Sequence, residues 1–154
     1  MIMKLLFPGS FDPFTTGHAD LVERALKIAD GVVIAIGTNS GKTPMFSIGQ
    51  RLDAIARHYA GDSRVSVISY TGLTVDAVRE NGCDAILRGV RTVADYEAER
   101  SLADANRSIE NVETVLLVAR ADTQHISSSL VRELMHYGRD VSGFVIESFT
   151  DCMK

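Results

Sequence analysis

Short apolar runs separated by amphipathic stretches set the pattern of this chain. Lys4–Phe7, Val32–Ile36, Val65–Ser69, Ala85–Leu87 and Thr114–Ala119 are brief and lack clear alternation. Strands covered on both faces of a parallel sheet read this way. The segments between them read as helices. Leu21, Val22, Ala25 and Ala29 line one face of a helix expected over Gly17–Ala29, and Leu52, Ile55, Ala56 and Tyr59 do so over Arg51–Ala60. Ser47 with Gln50, and Thr92 with Asp95, have the spacing of capping boxes, the second opening a helix to about Arg107. A last clear helix covers about Ser129–Tyr137, with Gly138 as its C-terminal stop. Repeated β-α order predicts an α/β fold with a doubly wound, parallel five-stranded sheet. Ligands of such sheets bind beyond the carboxyl ends of the strands, where the strand order reverses. Thr38–Pro44 and Thr71–Leu73 read as loops, the first polar enough to be mobile.

No linker, repeat or low-complexity tract interrupts the 154 residues, so one domain over 1–154 is expected. With 45% hydrophobic and 23% charged residues the chain can bury a core and stay dissolved. A net charge of −4 argues against nucleic acid or an anionic membrane as partner, while leaving room for a small basic pocket. Met1–Phe7 is too short for a signal peptide, and no apolar stretch approaches spanning length. Cys83, read as core or near-core, and Cys152, read as tail, are far apart in the chain, which fits a reduced, cytoplasmic setting.

Chemistry concentrates after the first strand, in Pro8-Gly9-Ser10-Phe11-Asp12-Pro13-Phe14-Thr15-Thr16-Gly17-His18. A helix begins at the end of this run, so its free N–H groups and dipole favour an anion above the strand. Gly9 and Gly17 are expected to let the backbone approach a ligand, and His18 to donate to a phosphate oxygen. Arg88 and Arg91 leave the fourth strand at the same edge, where anions are expected. Lys42, beside Pro44 and ahead of a capped helix, can swing a compact charge over a phosphate. Ser127, Ser128 and Ser129 open the last helix, where one serves as N-cap and the others can offer hydroxyls and N–H groups to a second anion.

The T-x-G-H element resembles that of the nucleotidyltransferase superfamily, and the longer run resembles bacterial phosphopantetheine adenylyltransferases. Lys42-Thr43-Pro44-Met45-Phe46, Arg88–Glu97 and Ile126–Glu133 resemble that family in the same order, so the likeness covers nearly the whole chain. It implies a Rossmann-like fold of nucleotidyltransferase type. It implies an activity: adenylyl transfer from ATP to 4′-phosphopantetheine, giving dephospho-coenzyme A and pyrophosphate. Its site residues are carried over as follows. His18, Lys42, Arg91 and Ser10 are implied as catalytic. ATP is implied to meet Ser10, Phe11, His18, Gly89, Arg91, Glu99 and the stretch Gln124, His125, Ile126, Ser127, Ser128, Ser129 and Leu130, with no catalytic role for His125. The acceptor is implied to meet Ser10, Lys42, Thr74, Arg88 and Asn106, with Arg88 on its phosphate. Thr74 stands where relatives often carry a larger apolar residue, and the tail after Gly143 matches the family only loosely.

The resemblance further implies Mg²⁺ carried with ATP, no metal held by the protein, a homohexamer, and inhibition by coenzyme A. The acceptor phosphate is already ionised at neutral pH, so no general base is required. Positioning and charge neutralisation carry the reaction. Two alternatives remain at this stage. One is another small nucleotidyltransferase, either a nicotinate mononucleotide adenylyltransferase or a cytidylyltransferase. The other is a nucleotide-binding regulatory module without catalysis.

Overall fold

A computed structural model describes residues 2–38 and 41–154. The strands are β1 (Lys4–Gly9), β2 (Gly31–Gly37), β3 (Val65–Tyr70), β4 (Ala85–Val90) and β5 (Glu113–Val118). All pair in parallel, in the order β3-β2-β1-β4-β5. The chain therefore winds outward from β1 and then returns to set β4 on the other side of β1. The expected five-stranded, doubly wound sheet is present. β1 and β4 each extend further than their apolar cores suggested, to Gly9 and Val90.

Those extensions shape the carboxyl edge of the sheet. β1 pairs with β2 along its whole length, but with β4 only at Leu5↔Ala85 and Leu6↔Ile86. Beyond Leu6 and Ile86 the two central strands part. Pro8, which has no N–H to give, lies on the parted stretch. The result is a crevice at the carboxyl edge, at the reversal of strand order.

The helices are α1 (Thr16–Ala25), α2 (Ile48–His58), α3 (Thr74–Glu80), α4 (Val93–Glu110), α5 (Ser128–His136) and α6 (Glu147–Cys152). Side chains alternate across the sheet, as strand geometry requires. Leu5, Phe7, Val32, Ile34 and Leu87 meet Val22 and Ala25 of α1, Ile55 of α2, Val131 of α5 and Phe149 of α6 on one face. Leu6, Val33, Ala35 and Ile86 meet Ala77 and Val78 of α3 on the other, with Cys83 half-buried against them.

Two expectations need correction. The inward face of α2 is rotated: Arg51 and Ala54 are buried with Ile55, and Ala56 is exposed. The cause is Arg51, 5% exposed, whose guanidinium turns inward to the carbonyls of Ser10 at 2.7 Å and Ser47 at 3.4 Å. Thr92 caps α4, but Asp95 does not complete the box. Its carboxylate accepts the Arg91 N–H at 3.0 Å instead. The tail is also ordered against the core: Phe149 is fully buried, 5.3 Å from Phe46, and Ser148 donates to the Ala54 carbonyl at 2.6 Å. Part of the expected mobile loop, Asn39 and Ser40, lies outside the described residues.

Candidate active site

A cavity of about 370 Å³ occupies the crevice between β1 and β4. Its floor is Phe7, Pro8 and Gly9 from β1 and Arg88 and Gly89 from β4, and its walls come from α1, α4 and the start of α5. Arg88 spans the gap between the strands. Its Nη1 donates to the Pro8 carbonyl at 2.8 Å, and its Nε and Nη2 donate to Glu99 at 2.9 and 2.7 Å. The side chain thus replaces strand pairing that the parted backbone no longer makes. Two of the five guanidinium N–H groups remain for an anion. Glu99 is 8% exposed, the buried residue of α4, so its inward aim is fixed by Arg88 rather than by helical periodicity.

His18 is the third residue of α1. The Thr15 hydroxyl accepts the His18 main-chain N–H at 3.2 Å, while His18 Nδ1 accepts the Thr15 main-chain N–H at 3.0 Å. This is a capping box with histidine in the place usually taken by glutamate or glutamine. With Nδ1 accepting, the ring proton of neutral His18 lies on Nε2. Phe7, Phe11 and Phe14 surround the ring at centroid distances of 6.1, 5.0 and 5.3 Å, and the cavity receives its open edge. Burial first, then the charges of Arg88 and Arg91, lower its pKa from 6.5 to about 3.

Two helix N-termini point into the same space. The first-turn N–H of Gly17 in α1, and those of Ser128 and Ser129 in α5, make no hydrogen bond among the described residues. Ser127 caps α5 by accepting from the Leu130 N–H at 3.1 Å, and the Ser128 hydroxyl donates to the Pro13 carbonyl at 2.8 Å. The two glycines differ in their surroundings. The position a Cβ would take at Gly9 is filled by the Phe11 ring, at 2.9 Å, while Gly9 itself lines the cavity floor. Gly17 does lie open to the cavity. Phe11 holds φ +48°, in the left-handed region, to place its ring there.

The structure gathers Ser10, Phe11, His18, Arg88, Gly89, Arg91, Glu99, Ile126, Ser127, Ser128 and Ser129 on the cavity wall. Lys42, Thr74, Asn106, Gln124, His125 and Leu130 are not on that wall. Gln124 instead donates to the Arg91 carbonyl at 3.0 Å, and the exposed His125 ring lies 6.2 Å from Phe144. Lys42 follows β2 and Thr74 follows β3, so both leave the carboxyl edge on the far side of β1 from Arg88. Thr74 shares a hydrogen bond with Tyr70 at 2.9 Å, and α3, which it opens, contacts α4, which carries Asn106. The sequence reading missed Asp20, Asp95, Thr123 and Arg132 on the wall. Arg132 had a signal, since it lies one turn after the serine run.

Charge on the wall balances: Arg88, Arg91 and Arg132 against Asp20, Asp95 and Glu99. Each carboxylate is engaged by an arginine: Asp20 by Arg24, Asp95 by Arg91, Glu99 by Arg88. Among the described residues no group of three or more acidic, histidine or cysteine side chains could hold a metal ion.

Residues 6–134 match the family model described as cytidylyltransferase-like. A phosphopantetheine adenylyltransferase of Porphyromonas gingivalis is 55% identical over 144 residues, 94% of each chain. The chain belongs to the phosphopantetheine adenylyltransferase family. A second member, from Flavobacterium psychrophilum, is 45% identical over 145 residues, 94% of this chain and 96% of that one. The fold extends beyond the family. A bifunctional NMN adenylyltransferase/ADP ribose pyrophosphatase of Francisella tularensis, solved with AMP and a manganese ion, superposes with a TM-score of 0.69 at 18% identity. That match covers 94% of this chain and 44% of the other, and at such identity it shows the fold alone. Members of the phosphopantetheine adenylyltransferase family are nucleotidyltransferases, and the relatives favour neither the nicotinate mononucleotide nor the cytidylyl alternative. No helix among the described residues is long and apolar enough to cross a membrane.

Proposed function

We propose that the β1–β4 crevice is where this chain transfers the adenylyl group of ATP to 4′-phosphopantetheine, giving dephospho-coenzyme A and pyrophosphate. The observation that supports the placement is the meeting of His18, Arg88, Arg91 and two helix N-termini in one crevice. One domain, 1–154, carries both substrates. An ionised oxygen of the acceptor phosphate attacks the α-phosphorus of ATP. A new P–O bond forms as the bond to pyrophosphate breaks, and no proton moves to a base. Nε2–H of neutral His18 donates to an α-phosphate oxygen, stabilising the charge that builds there. Ser10 adds a hydrogen bond beside it.

The ATP side is formed after β4 and β5: Gly89, Arg91, Glu99 and the Gln124–Leu130 stretch, with main-chain N–H groups on the phosphates. The acceptor side extends toward β2 and β3 through Lys42 and Thr74, with Asn106 beside α3 and the two remaining Arg88 N–H groups on the acceptor phosphate. Because the wall charge balances, directed N–H donors hold the phosphates, and Lys42 brings the additional positive charge. The donor set fits Mg²⁺ that arrives on the nucleotide rather than in a protein cage. When bound, that ion neutralises phosphate oxygens. A cytoplasmic location, assembly into six copies and inhibition by coenzyme A belong to the same reading. Exposed Leu102 and Ile109 on α4, with Leu73 beside α3, support the assembly.

Pyrophosphate release from ATP, with and without 4′-phosphopantetheine, tests the activity. The expected result is release only with the acceptor, together with a product of dephospho-coenzyme A mass. ATP binding without release would refute it. Light scattering should give six chain masses, and a single chain mass would refute the assembly.

A further inference from the structure

A buried carboxylate that the reaction does not use lies beneath the loop between β1 and α1. Asp12 is 6% exposed. Its Oδ2 accepts the main-chain N–H of Met45 and its Oδ1 that of Phe46, both at 2.8 Å. Among the described residues no cation pairs with this carboxylate; Arg132 reaches only the Asp12 main-chain carbonyl, at 2.8 Å. A desolvated charge held by two main-chain donors alone is a specific arrangement. Two adjacent N–H groups require two acceptor oxygens, and an asparagine would turn its NH₂ toward one of them.

The clamp joins two loops that carry chemistry. Asp12 stands between Ser10 and His18. Met45 stands three residues after Lys42, so the chain can place the Lys42 Cα no further than roughly 11 Å from the clamp. Phe46 is buried at 5% exposure against Phe149, which makes the anchor rigid from its other side. The exposed Lys42 side chain meets no partner among the described residues, so its backbone anchor alone sets where it starts from.

We propose that Asp12 is a positioning residue: its carboxylate fixes the Lys42 segment against the loop that carries Ser10 and His18, and so sets the approach of Lys42 to the reacting phosphates. The proposal rests on the reading of Lys42 given above. It is tested by a double-mutant cycle of Asp12→Asn and Lys42→Ala, with ATP affinity measured by calorimetry. D12N should lower turnover by up to roughly 100-fold, as small misplacements do, with ATP affinity within about twofold. In the K42A background the same change should cost little. A lysine-specific protease should cut after Lys42 faster in D12N than in the parent, read from fragment masses. If D12N does not fold, Met45→Pro removes one donor, leaves the carboxylate intact, and enters the same cycle. A slow K42A beside a normal D12N would overturn the clamp alone. Equal losses from D12N in both backgrounds would also overturn it. An unchanged K42A would overturn the Lys42 reading and the proposal with it.

Discussion

His18 shows how one residue can cap the start of a helix and also face the cavity proposed for the reaction. The Thr15 N–H occupies Nδ1, so only Nε2–H can reach the cavity. The ring stays uncharged because burial and two neighbouring arginines oppose its protonation. His18→Ala should lower turnover by orders of magnitude with substrate affinities largely kept, as measured by steady-state kinetics and calorimetry; unchanged turnover would remove His18 from the mechanism. The same depressed pKa has a consequence for stability. The unfolded chain binds a proton at 6.5 and the folded chain only near 3. Between those values the unfolded state holds more protons, so stability falls as pH falls through that window. His18→Gln keeps a side chain suited to the capping box and removes the titration. Its acid unfolding midpoint, followed by circular dichroism, should lie at lower pH than that of the parent.

At the scale of elements, the carboxyl end of β4 depends on the absence of a side chain. A Cβ on Gly89 would lie 2.5 Å from Leu21 Cδ1 on α1. Gly89→Ala should destabilise the fold by about 1–3 kcal/mol through overpacking. Adding Leu21→Ala should recover part of that loss, a non-additivity that urea titration can measure. Caps, turns and apolar runs of this kind were legible because their determinants are close in sequence. Ser47–Gln50 and Ser127–Leu130 are examples, each pair three residues apart. The parts that sequence reasoning missed depend on distant partners. The inward turn of Arg51 is set by Ser10, 41 residues away, and the Arg88 brace by Pro8, 80 residues away. Glu99 lies on a helix face that periodicity leaves to solvent, and only the arginine on a neighbouring strand explains its burial. The motif run does line one crevice, but its sequence did not show that Phe11 fills the space beside Gly9.

For the whole molecule, the order of strands divides the carboxyl edge into two sides, as the proposed placement of two substrates requires. β1 at the centre leads through Ser10 to His18, the segments after β4 and β5 leave on one side of it, and those after β2 and β3 on the other. The tail adds to this plan more than its sequence suggested. It supplies Phe149 to the core, and its Phe144 carbonyl accepts the Thr16 N–H at 2.9 Å at the start of α1. The parting of β1 from β4 after two residue pairs also bears on synthesis of the chain on the ribosome. β1 emerges first and takes β2 as neighbour, while its other edge waits for β4, some 80 residues later in the order of translation. The serines of α5 emerge later still. A nascent chain can therefore build half of its sheet well before the crevice exists, and the crevice has all its walls only once the start of α5 has left the exit tunnel.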